Sequence, residues 1–426
     1  MSTYDKAGII IPNIDSFKST PLGGNAYGPA EVSNLGIDAN HPVFTPGALR
    51  CFLNSMRLIK PEADMLTVEE YYSHELHMQI VNGKIYCTYN HNTNGGDASP
   101  LTTPSLSVDM AIVDLATMTV DKKFTLAKTG DAISDGTTVA STAGCGIPGM
   151  IAVGTTTIRT IFSTLDSNGV VCECYVDYTI GTDTVGTIGK CKITVDGTQY
   201  DLTSPNVKAH IDSNASANNY LSFNGSFAHD TTNDIYYMAF GNISNMVNAA
   251  IVSTSDLINF TFIRLDKAAA GITMNYEAAC GLWTSFETVL GLFVATRSAD
   301  GYTKVNRYRF PITESSGADQ WLLPSDRSKP AFFKIPDNGV PHLVINSAGR
   351  METNIIRPMS TSMETIAQLF NLDYVEIIPD GNGNIIVGGT YNHKYVRIYK
   401  VPWNLYTIND VVAIGQKFAD IFATTS

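Results

Sequence analysis

The chain has 426 residues, of which 44% are hydrophobic and 16% are charged, with 34 glycines and 18 prolines. This composition supplies enough apolar material for a packed core, and it excludes a disordered chain or a small disulfide scaffold. The formal net charge is -12 and no run of lysine or arginine occurs, so nucleic acid is not expected as a partner.

The N-terminal residues and the cysteines bear on the compartment. No signal-peptide pattern opens the sequence, and no stretch approaches the roughly 18 apolar residues of a membrane helix, so we expect a product of the cytoplasm without membrane insertion. The 7 cysteines have irregular spacing, which predicts free thiols. Cys172 and Cys174 share a strand face with Cys191 across from them, but a fourth metal ligand is missing. We therefore expect no metal and no cofactor.

Residues 1–70 are predicted to form an extended attachment segment, because they are rich in Gly, Pro and Asn and show no sustained alternation. One helix is predicted at about 46–60. Thr45 can cap it, Pro46 suits its first position and Pro61 ends it.

Residues 71–403 repeat a strand, turn and strand pattern in six modules. In the first, Asn82-Gly83 between two apolar runs predicts a two-residue hairpin turn. The second ends with KCKITVDGTQYDL. The pattern indicates an all-β fold, a five- or six-bladed β-propeller, since terminal strands can complete one blade jointly.

Residues 404–426 are predicted to form a C-terminal helical tail, with apolar residues at helical spacing. This short helix either docks on the propeller or pairs with copies of itself. The second possibility makes a homo-oligomer.

One segment resembles a known superfamily. Ser255-Asp256-Leu257-Ile258-Asn259-Phe260 is similar to the blade edge of arabinanase-like and sialidase-like propeller hydrolases, with Phe260 in place of Trp. Residues 74–92 also resemble blades of the sialidase-like superfamily. In such an edge the aspartate accepts turn amides and the aromatic ring packs between blades. The resemblance implies a propeller fold over residues 71–403.

The resemblance also implies a place for catalytic acids, because glycoside hydrolysis needs two carboxylates facing one sugar. The candidate acids of the inner strands are Glu75, Glu277, Glu376 and Asp230. Four such acids in six modules is about what chance supplies, so catalysis is not the leading interpretation. Glu75 and His77 are predicted to share a strand face, whereas His74 and His77 are not.

A glycine-rich string, Gly144-Cys145-Gly146-Ile147-Pro148-Gly149, matches the dinucleotide-binding pattern. It precedes a strand rather than a helix, which excludes a phosphate cradle.

Aromatic and amide side chains at strand ends suit sugar recognition, since rings cover C–H surfaces and amides bind hydroxyls. Thr-Tyr-Asn-His occurs at 88–91 and again at 390–393, in modules that become neighbours if the ring closes. This repeat is either a binding patch or a shared structural motif that packs Tyr and closes a loop with His. The ligand-binding candidates are Tyr89, His91, Asn92, Tyr302, Tyr391, Asn392 and His393.

A propeller with a polar, weakly charged surface and no export signal resembles tail or head appendage proteins of bacteriophages. The leading prediction is a virion structural and adhesion protein, part of a tail fibre or of a tail or head appendage. Its propeller would bind a host surface glycan or receptor, or a neighbouring virion protein, without catalysis. Its N-terminal segment would attach it to other virion proteins. The first alternative is a sialidase-like or arabinanase-like glycoside hydrolase acting on host polysaccharide. The second is a purely scaffolding virion protein.

Overall fold

A computed structural model describes most of the central part of the chain. The described residues are 3–4, 10–11, 65–70, 73–95, 99–211, 221–222, 227–242, 248–267, 274–284, 290–298, 302–313, 317–324, 331–334, 341–346, 352–358, 363–370, 372–391 and 394–402. The predicted helices at about 46–60 and in 404–426 lie outside these residues, as does Cys51.

The strands fall into a short N-terminal pair and six larger sheets. The pair is β1 (Thr3–Tyr4) with β2 (Ile10–Ile11), and β3 (Met65–Glu69) follows. Blade 1 consists of β4 (Ser73–Val81), β5 (Lys84–Asn92), β6 (Leu106–Asp114) and β7 (Thr119–Ala127). Blade 2 consists of β8 (Gly146–Val153), β9 (Thr157–Leu165), β10 (Val171–Thr179), β11 (Thr184–Val185) and β12 (Gly189–Lys190).

Blade 3 begins with two strands that precede the helix. It comprises β13 (Lys192–Val195), β14 (Thr198–Asp201), β15 (Leu221–Ser222), β16 (Ala228–Asp230), β17 (Ile235–Asn242), β18 (Asn248–Thr254) and β19 (Asn259–Lys267), with α1 (Pro205–Ile211) between β14 and β15. Blade 4 comprises β20 (Met274–Thr284), β21 (Leu290–Ser298), β22 (Tyr302–Arg309) and β23 (Ala318–Pro324).

Blade 5 comprises β24 (Ala331–Lys334), β25 (Pro341–Asn346), β26 (Glu352–Pro358) and β27 (Met363–Phe370). Blade 6 comprises β28 (Asp373–Pro379), β29 (Asn384–Tyr391) and β30 (Tyr395–Pro402), and β3 pairs with β30 as its outer strand. Strands from the two ends of the propeller region thus complete one blade.

The innermost strands surround a central funnel. Strand β4 contacts β8, β20 contacts β24, β24 contacts β28, and β28 returns to β4. Strands β16 and β17 contact β20, and β15 contacts β9. The predicted all-β propeller is therefore confirmed. Its strands from Met65 to Val401 belong to one compact unit, Pro61–Val401.

Two local predictions are confirmed by the turns. Asn82 and Gly83 have φ of 50° and 75°, and they join Val81 to its partner Lys84 as a two-residue turn requires. The Asp256 carboxylate accepts the backbone N–H groups of Ile258 and Asn259 at 2.8 and 2.7 Å.

The aromatic residue of this edge, Phe260, is 1% exposed. It packs with β8 and β9 residues of blade 2, including Ile151 and Ile161. The ring therefore lies between blades, as the resemblance implied.

The second module is shorter than the sequence predicts. Its last two strands, β13 and β14, form a hairpin that leaves blade 2 and joins blade 3, where β13 runs parallel to β19. Their apolar side chains, Ile193 and Val195, pack in the core between blades 2 and 3. Parallel pairing depends on which neighbour the hairpin reaches, so strand alternation alone could not reveal it.

Bulges interrupt the inner strands of four blades, in β4, β8, β20 and β28. Glu75, Ile147 and Tyr374 occupy these bulges in β4, β8 and β28 with φ of 61°, 56° and 52°. A bulge adds a residue to one strand and shifts the alternation beyond it. Side-chain directions at the start of these strands therefore differ from those of a regular strand.

The described cysteines have free, buried thiols. Cys172 and Cys174 pack in the core between blades 1 and 2. Cys191 packs instead in the core between blades 2 and 3, so its expected position across from them is wrong. The reason is that the backbone N–H of Cys191 donates to the Glu173 carbonyl, which places it beside a residue of the opposite strand face.

A buried polar network joins blades 3 and 4. Asp266 on β19 and Lys304 on β22 are each 0% exposed, and their charged groups lie 2.7 Å apart. Asn306 and Thr296 donate to the same carboxylate at 2.6 and 3.2 Å, and the Tyr308 hydroxyl donates to it as well. The carboxylate thus meets donors from two strands of the next blade.

A second buried pair of charged residues lies where α1 packs against blade 2. Glu173 is 1% exposed and accepts a hydrogen bond from the Ser163 hydroxyl at 2.7 Å. Lys208 on α1 is 2% exposed. Burial lowers the pKa of Lys208 from 10.5 to about 8, although the nearby Glu173 opposes the shift. Burial also raises the pKa of Glu173 well above its usual value.

The free energy of unfolding should therefore respond to Lys208→Met in a pH-dependent way. Because the folded-state pKa lies below the unfolded one, the stabilising contribution of Lys208 is present above pH 10.5 and is lost as the pH falls through 8. We expect the variant to gain about 1–2 kcal/mol over the wild type at pH 7, part of the roughly 3 kcal/mol that such a shift represents. Urea denaturation of both proteins at pH 7 and pH 10 measures this difference in the free energy of unfolding. An equal difference at the two pH values would contradict a contribution from the titration of Lys208.

None of the helices in the described ranges has the length and apolar character of a membrane span.

Candidate functional site

The strand order gives the funnel two different ends. At the turn end, the first and second strands of a blade meet, as at Asn82-Gly83 between β4 and β5. At the loop end, the second and third strands are joined, as between Tyr391 and Tyr395 in blade 6. These two ends carry different sets of candidate residues.

A cavity of about 700 Å³ occupies the turn end of the funnel. Strands β4, β8, β16, β20 and β28 all contribute to its lining. The part of the lining that the structure describes contains two carboxylates, Asp234 and Glu376, and no arginine. This volume is within the range of small-molecule sites.

Glu376 and His77 form the buried polar centre of this cavity. The His77 Nδ1 atom lies 3.5 Å from the Glu376 Oε2 atom, and their side chains are 2% and 8% exposed. The same oxygen accepts the backbone N–H of Met78 at 2.7 Å. The neighbouring blade thus holds Glu376 through the hydrogen bond from Met78 and the contact with His77, which fixes its orientation.

Aromatic rings supply the other walls. His229 and Tyr236 stack with their centroids 4.0 Å apart and their planes 3° apart. The His229 Nε2 atom contacts the Asp234 carboxylate at 2.9 Å. Phe227 stacks against His77 at 6.3 Å. Flat rings together with Gln79 and Thr231 give a surface that can cover sugar C–H groups and bind hydroxyls.

Three of the four predicted catalytic acids have described side chains, and they occupy different places. Glu376 lines the cavity. Asp230 instead ends β16, where its carboxylate accepts the backbone N–H of Thr232 and the side chain of Asn233 at 3.0 and 2.8 Å. These bonds lower the pKa of Asp230. Glu277 lies in β20, and its side chain is outside the described part of the structure.

Glu75 and His77, which were predicted to share a strand face, lie on either side of an irregularity in β4. Glu75 occupies the bulge of β4, so the two residues do not follow regular alternation. The Glu75 carboxylate, 3% exposed, accepts a hydrogen bond from the Asn90 side chain. The Asn90 Oδ1 atom in turn accepts the backbone N–H of Ile147 at 2.8 Å, which links the bulges of blades 1 and 2.

Three predicted ligand-binding residues lie at the loop end of blade 1. Tyr89 is 0% exposed, and its hydroxyl donates to Glu69 at 3.3 Å. Asn92 is 2% exposed and binds the Gly95 carbonyl and the Ser105 hydroxyl within its own loop. These contacts fit the structural interpretation of the Thr-Tyr-Asn-His motif.

His91 is more accessible than its neighbours. Its Nδ1 atom lies 2.7 Å from Asp109, and the side chain is 21% exposed. The hydrogen bond with Asp109 raises the pKa of His91 against the opposing effect of burial. Ser107 donates to the other oxygen of Asp109 at 2.9 Å, so this histidine closes a strand-to-strand network.

The two copies of Thr-Tyr-Asn-His are not equivalent in the propeller. Thr88 pairs with His77, whereas Thr390 pairs with Asp373, which lies before the bulge of its strand. The second copy is therefore offset along its blade. Tyr391 remains partly exposed there, whereas Tyr302 lies in β22 with a side chain that is not described, and Asn392 and His393 fall outside the described residues.

The main site residues that the sequence did not reveal are Phe227, His229 and Tyr236. His229 and Tyr236 pair across the hairpin of β16 and β17, so recognising that hairpin around Thr231–Asp234 would have placed both rings on one face. Tyr395 and Arg397 are two residues apart on β30, so strand alternation places them on the same face.

No group of three His, Cys, Asp or Glu side chains within the described ranges is arranged to hold a metal ion. The glycine-rich string begins strand β8 at Gly146, as expected.

Known proteins share this fold at low sequence identity. No family model matches the sequence, and no curated protein matches it. A crystal structure of a protein of unknown function from Dyadobacter fermentans has a TM-score of 0.55 and 10% identity, over 80% of this chain and 99% of that one.

Two sialidase structures are comparably similar. The Hadza microbial sialidase Hz136 has a TM-score of 0.55 and 9% identity, over 78% of this chain and 65% of its own. The Trypanosoma rangeli sialidase has a TM-score of 0.55 and 10% identity, over 84% of this chain and 60% of its own. This chain thus spans less than two thirds of either sialidase. The chain therefore shares the β-propeller fold of these solved structures.

Proposed function

We propose that this chain is a bacteriophage virion adhesion protein, a tail-fibre, tail or head-appendage component. Its propeller binds a host surface glycan without catalysis. The observation that carries the binding role is the turn-end cavity, where stacked rings lie beside amide and hydroxyl groups and Glu376 is held by Met78 and His77. The virion part rests on the polar, weakly charged composition. The N-terminal segment attaches the protein to its virion neighbour, and copies associate as a homo-oligomer.

Retention of glycan should depend on the aromatic wall. We expect His229→Ala to lower the affinity for a host surface polysaccharide about tenfold, because it removes one ring of the stack and its polar tip. His210→Ala is the matched control, since His210 also contacts a ring, Phe262, but lies on α1 away from the cavity. Co-sedimentation of the purified protein with polysaccharide-bearing cells measures the retention.

The same samples, assayed for reducing ends, address catalysis. Retention without release is expected from the wild type and from Glu376→Gln. Equal retention by the His229→Ala and wild-type proteins would contradict a cavity-based site.

A glycoside hydrolase is the second candidate, because Glu376 is a buried carboxylate in a funnel of the sialidase-like fold. Release of reducing ends that is abolished by Glu376→Gln would establish this candidate and remove the non-catalytic one. A protein that shows neither retention of glycan nor release of reducing ends would have only the scaffolding role left.

A further inference from the structure

A cluster of cations and aromatic rings lies at the loop end of blade 6. It consists of Tyr391, Lys394, Tyr395 and Arg397, called the blade 6 cation cluster below. The Arg397 guanidinium carbon lies 4.0 Å from the ring centre of Tyr391 and 5.6 Å from that of Tyr395. The two rings are 6.3 Å apart at an angle of 38°. The Lys394 ammonium lies 5.1 Å from the ring centre of Tyr395.

The cluster holds two positive charges without a described counter-ion. Some other buried or half-buried cations pair with carboxylates, as Arg159 does with Asp177 and Lys304 with Asp266. No carboxylate among the described residues forms an ion pair with Arg397 or Lys394. In addition, the Arg397 Nε atom is buried and has no hydrogen-bond partner. Two cations that no described carboxylate neutralises thus lie beside one ring, in a chain of net charge -12.

The chemistry of the cluster suits an oxyanion. A guanidinium stacked on a ring keeps its in-plane N–H groups free for two parallel hydrogen bonds, the geometry that matches a carboxylate or sulfate. An anion would also offset the repulsion between Arg397 and Lys394. The tyrosine rings beside it can cover the C–H face of a sugar.

We propose that the blade 6 cation cluster binds the carboxylate or sulfate group of an acidic glycan. The glycan as ligand rests on the proposed function, whereas the oxyanion preference rests on the cluster alone. The cluster lies at the loop end and is therefore distinct from the turn-end cavity.

Isothermal titration with three oligosaccharide probes tests this site. Oligogalacturonate carries carboxylates, sulfated dextran oligosaccharide carries sulfates, and unmodified dextran of the same length is neutral. We expect at least one charged probe to bind at least about tenfold more tightly than dextran, and Arg397→Gln to remove about that factor. The charged probe that binds more tightly identifies the oxyanion as a carboxylate or a sulfate.

The matched control is Lys122→Gln, because Lys122 also lies over a ring, Phe124 at 4.7 Å, but is paired with Asp183 at 2.6 Å. It should leave the affinity for charged probes unchanged. Arg397→Lys keeps the charge and loses the paired hydrogen bonds, so its loss should be smaller than that of Arg397→Gln. If Arg397→Gln does not fold, Lys394→Gln should lower the affinity about threefold, as removing one exposed charge does.

Charged probes that bind no better than dextran overturn the proposal, as does an affinity that Arg397→Gln and Lys394→Gln leave unchanged. These results are separable from the proposed function. Charged probes that bind no better than dextran, while cells are retained equally by the wild type and Arg397→Gln, would overturn the oxyanion site alone. Oligogalacturonate that binds while no host cell is retained would overturn the adhesion role alone.

Discussion

Asp266→Asn should lower the free energy of unfolding by about 3–5 kcal/mol, because it leaves the Lys304 ammonium buried without its counter-charge. Both side chains are 0% exposed and lie on adjoining blades, so water cannot replace the lost partner. The Asn306 and Tyr308 donors would also lose the carboxylate that accepts them. Urea denaturation followed by tryptophan fluorescence measures this change.

A surface pair provides the matched control. Lys122 and Asp183 are 40% and 56% exposed, so Asp183→Asn should cost less than about 1 kcal/mol. The double variant Asp266→Leu with Lys304→Met should be closer to the wild type than Asp266→Asn, because apolar groups of similar size remove both buried charges. An Asp266→Asn protein as stable as the surface control would mean that this pair does not hold blades 3 and 4 together.

The propeller could be predicted because its signals are local. Asn82-Gly83 fixes a hairpin by the backbone conformation that the two residues allow, and Asp256 fixes a turn by accepting nearby amides. Each acts within a few residues, so the sequence shows both. The repetition of such units then predicts a ring of blades.

The candidate site was less predictable because its geometry depends on contacts between blades. The bulge at Glu75 changes which face the next residues occupy, and nothing in the residue pattern of β4 marks it. Glu376 lies close to His77 only because blade 6 packs beside blade 1 when the ring closes. Likewise, the hairpin of β13 and β14 joins blade 3 by parallel pairing, which no local turn encodes.

The glycine-rich string has a structural explanation instead of a phosphate site. A Cβ atom at Gly144 would clash with the carbonyl oxygens of Leu106 and Thr103 and would lie 2.9 Å from the Leu106 Cβ. At Gly149 the nearest atoms belong to the side chains of Phe227 and Ile161, at 2.8 and 3.2 Å. These glycines let the entry to blade 2 pass close to its neighbours.

Gly144→Ala is therefore expected to lower the free energy of unfolding by about 3 kcal/mol or more, the upper part of the range for overpacked sites. Neither the backbone at Gly144 nor the backbone at Leu106 can move away easily, because both are held by hydrogen bonds. The Gly144 N–H donates to Pro100 at 2.8 Å, and its carbonyl accepts the Thr164 hydroxyl at 2.7 Å. Leu106 is also fixed, since its carbonyl accepts the N–H of Cys145 at 3.0 Å.

Alanine substitutions at three glycines should differ in their effect on the free energy of unfolding. Gly149→Ala should cost less than Gly144→Ala, because the Phe227 ring can shift where a backbone carbonyl cannot. Gly181→Ala should change stability by less than about 0.5 kcal/mol, since no atom lies within 4 Å of the added methyl group. Thermal and urea denaturation of the three variants give the order. If Gly144→Ala matches Gly181→Ala, the close approach of the two loops does not constrain this position, and the glycine-rich string again lacks an explanation.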